Sequence, residues 1–214
     1  MQKDSKQKTR RTPVPAATRK TPSVGRPTKD ELQAAYGRRV PDIVAPRLQV
    51  LFVGINPGLY SGAVGHHFAR PGNRFWPVLH KAGFTDRLLS PEEERDLLKL
   101  GYGITNIVDV ATAAAEELDP RELRAGGKQL IGKIKRLRPR VVAILGLKAF
   151  RIAFGMPKAS FGLQNERIDS SQVWVLPNPS GLNAAYQLPE LARMFRRVRS
   201  TAERVDRGGD RETS

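Results

Sequence analysis

The chain has 214 residues and no cysteine, and its 37 Lys and Arg residues outnumber its 21 Asp and Glu residues, which gives a formal net charge of +16 at pH 7. This length is typical of one domain with tails, and no apolar run reaches the roughly 18 residues that a membrane-spanning helix needs. The composition therefore excludes disulfides, thiol nucleophiles and cysteine-ligated metal centres, and the positive excess favours a polyanionic partner.

The two ends of the chain differ in composition from its middle. Residues 1–27 are rich in Lys, Arg, Thr and Pro with almost no large apolar side chains, so we predict a disordered basic arm. Such an arm would contact nucleic acid, or would only keep the protein in solution. It lacks the apolar centre of a secretory signal, which predicts a cytoplasmic protein. Residues 202–214 mix both charges and are expected to form a flexible tail.

Residues 28–201 alternate short apolar runs with helical patterns, and we assign them to one domain. The runs are rich in Val, Ile and Leu and are bounded by turn residues, which is typical of buried strands. The predicted strands are 48–55, 104–108, 141–145 and 173–176. The predicted helices are 73–81, a segment from the N-cap Ser90 to Gly101, one carrying the apolar stripe 130–137, 147–154 and 189–201. This alternation predicts a single α/β domain with a mostly parallel central sheet flanked by helices.

Two loops that follow predicted strands are candidates for a binding site, because ligands bind outside the carboxyl ends of strands in such folds. The first predicted strand runs into Gly54-Ile55-Asn56-Pro57-Gly58, and the last runs into Pro177-Asn178-Pro179-Ser180-Gly181-Leu182. A residue before proline is kept out of the helical region, so both asparagines are held extended. The two amides would then meet in one pocket, although ordinary turn dipeptides would explain each loop separately.

Sequence signatures of other ligand classes are missing. The chain has neither a P-loop nor a G-x-G-x-x-G fingerprint, and His66 and His67 are not accompanied by the motifs of a zinc deaminase. It also lacks the G-x-S-x-G element of acyl-transfer enzymes. We therefore expect no metal and no cofactor.

The two asparagine loops resemble motifs of the mismatch-specific uracil/thymine DNA glycosylases, which belong to the uracil-DNA glycosylase superfamily. The resemblance begins with Gly54-Ile55-Asn56-Pro57-Gly58-Leu59, Phe68-Ala69-Arg70-Pro71 and Asn73-Arg74-Phe75-Trp76, and Asn178-Pro179-Ser180-Gly181-Leu182 matches the second motif of that family. It covers about residues 43–198. It implies an α/β/α sandwich and an enzyme of base excision repair that removes uracil from mispairs with guanine. The N-glycosidic bond is hydrolysed without a cofactor, leaving an abasic site.

The resemblance implies that Asn56 positions the attacking water. An amide oxygen can orient water but cannot accept its proton at neutral pH, so slow chemistry is expected. Asn178 stands where strongly catalytic relatives carry histidine, and it would donate to the departing base. Asp109 is a candidate from the residues alone, because it follows the second predicted strand and a carboxylate there would take a proton or offset charge on the sugar. Its alternative role is the N-cap of a helix over 110–117.

The resemblance also implies a pocket for the flipped base. Phe68 would stack on the pyrimidine, and the backbone groups of Ile55 and Phe68 would read its edge. Gly58 and Ser61 would line the pocket near position 5 of the base. Uracil-restricted relatives have a bulky tyrosine there, so Gly58 predicts that thymine or other 5-substituted uracils also fit.

The remaining motif residues are assigned to DNA contact. Leu182 matches the wedge that fills the gap left by the flipped nucleotide, with Ser180, Gly181 and Asn183 beside it facing the opposite strand. Arg70 and Arg74 are candidate phosphate contacts, or solvated surface. The expected partner is double-stranded DNA with a G·U or G·T mispair, bound by a monomer that is associated with the nucleoid. Two alternatives stay open: a non-catalytic domain that binds mispaired or damaged DNA, and a flavodoxin-like binder of a small phosphorylated ligand.

Overall fold

The computed structural model of the chain describes residues 26–181 and 183–209. The basic arm predicted at 1–27 therefore lies outside the described residues except for its last two positions. The proposed wedge Leu182 and the end of the predicted tail, 210–214, also lie outside them. Within the described part of the chain, no helix combines the length and the apolar composition that crossing a bilayer requires.

A five-stranded sheet forms the centre of the domain. Its strands are β1 Val50–Gly54, β2 Tyr102–Asn106, β3 Val141–Leu145, β4 Gly162–Ile168 and β5 Ser171–Leu176. They lie in the order β2-β1-β3-β5-β4. The strands β2, β1, β3 and β5 run parallel to one another, and β4 pairs antiparallel with β5 at one edge. This arrangement confirms the predicted α/β domain with a mostly parallel sheet.

Helices cover both faces of the sheet because successive side chains of a strand point to opposite faces. The helices are α1 Lys29–Gln33, α2 Leu59–Val64, α3 Phe75–Lys81, α4 Asp96–Lys99, α5 Pro120–Leu137, α6 Leu147–Phe154 and α7 Leu188–Gly209. Phe52 of β1 packs in one core with α3 and α7, and Val53, the next residue, packs in the other core with α5 and α6. The result is the three-layer sandwich that the resemblance implied.

Several predicted boundaries differ from the structure. The segment after Ser90 is not one helix but a 3₁₀ turn, Pro91–Glu93, followed by the short α4. The helix considered over 110–117 is wrong, because residues 110 and 112 form isolated β-bridges and only Ala115–Glu117 turns as a 3₁₀ helix. Residues 202–209, assigned to the tail, continue α7. The edge strand β4 was not predicted, because its residues are mostly polar and at most half-buried.

Candidate active site

The loops at the carboxyl ends of the parallel strands enclose a cavity of about 550 Å³. Its walls include residues 55–58 after β1, Asn106 at the end of β2, 146–149 after β3 and 177–178 after β5. Residues 67–68, between α2 and α3, also line the cavity. The two asparagine loops that the sequence singled out therefore meet in one cavity, at the sheet edge where ligands of α/β folds bind.

The Asn56 side chain is held by three acceptors. Its Nδ2 donates to the Pro57 carbonyl at 3.1 Å, to the Val110 carbonyl at 3.2 Å and to the Thr112 hydroxyl at 2.8 Å. The Thr112 hydroxyl donates its own proton to the Ala114 carbonyl at 2.8 Å, so it can only accept from Asn56. These contacts fix the amide with its nitrogen toward residues 110–112. Among the described residues Oδ1 has no hydrogen-bond partner, which leaves it available to a ligand in the cavity.

Phe68 lies in the cavity wall in an uncommon backbone conformation. Its φ is 53°, a left-handed value that non-glycine residues rarely adopt. The ring stacks on Phe75 of α3, with 4.0 Å between the ring centroids. The Cζ edge of the ring approaches Gly54, where an added Cβ would lie 3.4 Å from Phe68 Cζ and only 2.3 Å from Asn106 Oδ1. An alanine at 54 would therefore force the buried Asn106 side chain to move, whereas its contact with Phe68 would be an ordinary van der Waals contact.

A buried glutamate anchors the segment that carries Phe68. Glu94 is 5% exposed, and its carboxylate accepts the His67 backbone N–H at 2.8 Å and lies 2.9 Å from His66 Nδ1. His67 Nε2 lies 3.0 Å from the Pro41 carbonyl, an acceptor, so this nitrogen carries the proton. Burial lowers the pKa of the His67 imidazole, and the nearby Glu94 carboxylate opposes this only in part. His67 therefore stands in the cavity wall as a neutral ring at neutral pH.

The residues predicted around position 5 of a base also line the cavity. The Ser61 hydroxyl, in the first turn of α2, accepts the Ala69 N–H at 3.2 Å and so ties α2 to the Phe68 segment. Gly58 is exposed, and a Cβ added there would meet no atom within 4 Å. This wall of the cavity is therefore open.

The second asparagine loop presents an amide donor to the cavity. Asn178 Oδ1 accepts the Ser180 N–H at 3.0 Å, and the Asn178 carbonyl accepts Asn183 Nδ2 at 3.1 Å. Because the Oδ1 atom is engaged within the loop, the Nδ2 group is the part of Asn178 that remains for a ligand. Asn178, Ser180 and Asn183 all line the cavity.

A family model and a solved structure match this chain. The model of the uracil DNA glycosylase superfamily matches residues 41–201. The chain belongs to the uracil DNA glycosylase superfamily. The fold is similar to the solution NMR structure of a Methanosarcina acetivorans protein to which uracil DNA glycosylase function is ascribed, with a TM-score of 0.53 and 18% identity over 76% of this chain and 98% of that one. Membership implies N-glycosyl hydrolase activity and a DNA substrate.

The structure gives different surroundings to the two arginines that were predicted to contact DNA. Arg70 is exposed at the rim of the cavity, where a phosphate can reach it. Arg74, just before α3, is partly buried and directs its guanidinium to the carbonyl groups of Ser180, Asn183 and Tyr186. Its hydrogen bonds are thus made within the protein.

Asp109 is not brought into the site. Within the described residues the cavity lining does not include it, and its carboxylate pairs with Arg39 at 3.3 Å, with 48% of the side chain exposed. The loop after β2 turns before it reaches the cavity again at Thr112. This position gives no support to the catalytic role considered for Asp109.

Asn106, Thr112 and Lys148 are among the cavity residues that were not assigned a role from the sequence. Asn106 ends β2 and Lys148 follows β3, so the rule that ligands bind at strand ends would have found both. Thr112 had no such signal, because its contact with Asn56 depends on the path of the loop after β2. No group of three or more potential metal-ligating side chains is found among the described residues.

Proposed function

We propose that the protein is a monofunctional, mismatch-specific uracil-DNA glycosylase that flips uracil out of G mispairs and hydrolyses its N-glycosidic bond to leave an abasic site. The observation that carries this proposal is the fixed orientation of the Asn56 amide, which leaves a carbonyl oxygen for water in a cavity shared with Phe68 and Asn178. The family membership indicates which bond is broken, and the geometry of the cavity supports the roles proposed for these three residues.

In the proposed reaction Asn56 Oδ1 accepts a hydrogen bond from a water molecule and aims its oxygen at C1′ of the flipped nucleotide. The C1′–N1 bond breaks with its electron pair going to the base, the water oxygen bonds to C1′, and the released proton passes to solvent. Asn56 takes no proton, because an amide is not a base at neutral pH. The rate therefore depends on how well the departing base anion is stabilised.

The Nδ2 group of Asn178 is the donor suited to a carbonyl oxygen of that anion, in the manner of an oxyanion hole. Phe68 offers the face on which the pyrimidine stacks, held by its contact with Phe75. The open wall at Gly58 supports acceptance of a methyl group at position 5, so thymine in G·T mispairs is a further proposed substrate.

Preference for mispairs follows from the cost of extracting a base. Flipping a nucleotide costs a few kcal/mol, and it costs least where the pair is already weak. The +16 net charge favours association with duplex phosphates, which would weaken as salt rises. We propose that one protein molecule acts on one mispair.

A single-turnover assay tests the proposal. Labelled duplexes with one G·U, A·U or G·T pair, and a single strand with one U, are incubated with excess protein and then treated with alkali to break abasic sites. We expect breaks at G·U that fall at least about a hundredfold in Asn56→Ala, the loss typical of removing a positioning group. No breaks from folded, duplex-bound protein would refute the enzyme and leave the non-catalytic mispair-binding domain as the better reading.

A further inference from the structure

The second motif lies on a loop whose described residues, 178–181 and 183–186, are here called the insertion loop. The Arg74 side chain joins this loop to the start of α3. Arg74 Nη2 donates to the Ser180 carbonyl at 2.5 Å and to the Asn183 carbonyl at 2.7 Å, and Nη1 donates to the Tyr186 carbonyl. The Arg74 backbone N–H adds a bond to the Pro179 carbonyl at 2.9 Å. One residue thus contacts the loop on both sides of position 182.

A close backbone contact supports the same connection. Gly181 packs on Gly72, and a Cβ added at Gly181 would lie 2.4 Å from the Gly72 carbonyl oxygen. The segment before α3 and the insertion loop therefore pack against each other without an intervening side chain. Inside the insertion loop, hydrogen bonds come from Asn178 and Asn183, and the described residues between β5 and α7 form no helix or strand.

The Arg74 end of this connection is rigid. Arg74 directly precedes α3, whose first residue Phe75 is fully buried and stacks on Phe68. The Arg74 Nε is itself buried, with no acceptor among the described residues. A guanidinium that is partly buried and bonded to three carbonyl groups is an internal support, because its donors are directed at the loop.

We propose that Arg74 is a positioning residue that holds the insertion loop in the shape needed to enter the duplex at a mispair. This inference rests on the proposed glycosylase function, and it replaces the phosphate contact expected for Arg74 from the sequence. A planar guanidinium reaches three carbonyls at once, whereas an ammonium is a single point charge. Arg74→Lys therefore keeps the charge that a phosphate contact needs and loses the geometry that the loop needs.

The first experiment measures single-turnover rates at saturating protein on the G·U duplex and on a duplex with an unpaired, bulged U. We expect Arg74→Lys to slow G·U cleavage by about tenfold, the effect of losing a charge-assisted hydrogen bond from a partly buried carbonyl. The bulged U should be affected less than threefold, because its extraction needs little help from the loop. Arg151→Lys is the matched control: Arg151 also donates two bonds to one carbonyl, of Ala159, but at an exposed position.

A second readout follows base flipping without chemistry. In the Asn56→Ala background, 2-aminopurine is placed next to the mispair, and its fluorescence rise on saturation with protein reports extraction of the base. We expect a smaller rise with Arg74→Lys and an unchanged rise with Arg151→Lys. Failure of wild-type protein to cleave any duplex would refute the proposed function, whereas the fluorescence comparison would still decide the role of Arg74.

Two results would overturn the inference. The first has two parts: Arg74→Lys keeps the wild-type saturated rate and fluorescence rise, and Arg74→Gln binds duplex more weakly. The slope of log binding constant against log salt concentration would also be smaller by about one in Arg74→Gln, because these changes are the signs of a phosphate contact. The other is an equal loss on G·U and bulged U, because damage to the cavity would affect both substrates alike.

Discussion

Replacing Asn56 by aspartate tests the amide orientation on which the proposed chemistry depends. Nδ2 of Asn56 faces the carbonyl oxygens of Pro57 and Val110 at 3.1 and 3.2 Å. Its third partner is the Thr112 hydroxyl, whose proton goes to Ala114. A carboxylate oxygen in place of Nδ2 would meet acceptors and no donor, so the carboxyl introduced by Asn56→Asp should resist ionisation.

The size of the effect follows from these contacts. The Thr112 hydroxyl can turn toward the new carboxylate, but the Ala114 carbonyl then loses its donor. The net penalty is that of one or two unmade hydrogen bonds, about 1–3 kcal/mol. Since one pKa unit corresponds to about 1.4 kcal/mol, the pKa of the introduced carboxyl should rise by about one to two units above its ordinary value of about 3.9.

The raised pKa of the introduced carboxyl determines how the stability of the Asn56→Asp protein changes with pH. A carboxyl with a raised pKa in the folded state holds its proton more tightly there, so ionisation favours unfolding. The Asn56→Asp protein should be close to wild type in free energy of unfolding near pH 4. Its deficit should grow as the pH passes through the raised pKa and reach about 1–3 kcal/mol by pH 8. Urea unfolding of both proteins at several pH values measures this difference.

Asn73→Asp is the matched control because its surroundings have the opposite character. Asn73 Oδ1 accepts the Phe75 N–H at 2.9 Å at the start of α3, where a negative charge is favoured. This variant should be as stable as wild type or slightly more stable at pH 8. Equal stability of Asn56→Asp and wild type at pH 8 would refute the assigned orientation, and with it the availability of Oδ1 for water.

Three further predictions concern neighbours of Asn56 and Phe68. Thr112→Val removes the hydrogen bond to Asn56 while keeping the side-chain size. It should slow single-turnover cleavage of G·U about fivefold and reduce the free energy of unfolding by about 1 kcal/mol. An unchanged rate would mean that Thr112 does not hold the amide. Gly54→Ala should reduce the free energy of unfolding by about 1–3 kcal/mol, because the added Cβ would lie 2.3 Å from Asn106 Oδ1. Gly132→Ala is the control, because a Cβ added at Gly132 has open space around it. Because burial lowers the pKa of His67 below 6.5, the free energy of unfolding of the wild type should fall as the pH drops below that value. His67→Asn should show a smaller fall between pH 7.5 and pH 5.5, measured by urea unfolding.

The layers and sheet of this fold were predictable because buried parallel strands are short apolar runs. The strand 141–145 was predicted with its observed bounds, and 48–55 and 104–108 were displaced at their ends by a few residues. The predicted carboxyl ends of these two strands are in contact in the structure, because the backbone N–H groups of Ile107 and Val108 donate to the carbonyls of Gly54 and Ile55. The edge strand β4 was missed because none of its residues is fully buried, so its sequence is mostly polar and carries no apolar run.

The residues of the site were predictable only where a strand end or a family motif marks them. Asn56 and Asn178 were found because both follow buried strands, and the structure places both in one cavity. Asp109 became a candidate by the same rule but is not part of the cavity lining, because the strand-end rule gives proximity to an edge and not the turn of the following loop. The roles of Thr112 and Arg74 depend on contacts with residues at least 50 positions away, which no local pattern encodes.

The weak chemistry implied by Asn56 gives the proposed enzyme a physical basis for choosing mispairs. If the bond-breaking step is slower than return of the flipped base to the helix, the observed rate is the flipping equilibrium constant multiplied by the chemical rate. Each 1.4 kcal/mol by which a normal pair is more stable than a mispair then lowers the rate tenfold. A fast base at position 56 would commit every flipped uracil to cleavage and lose this selectivity. The acceptor-only surroundings of Asn56 Nδ2 disfavour a carboxylate there, so the same contacts that position the amide also preserve the slow step.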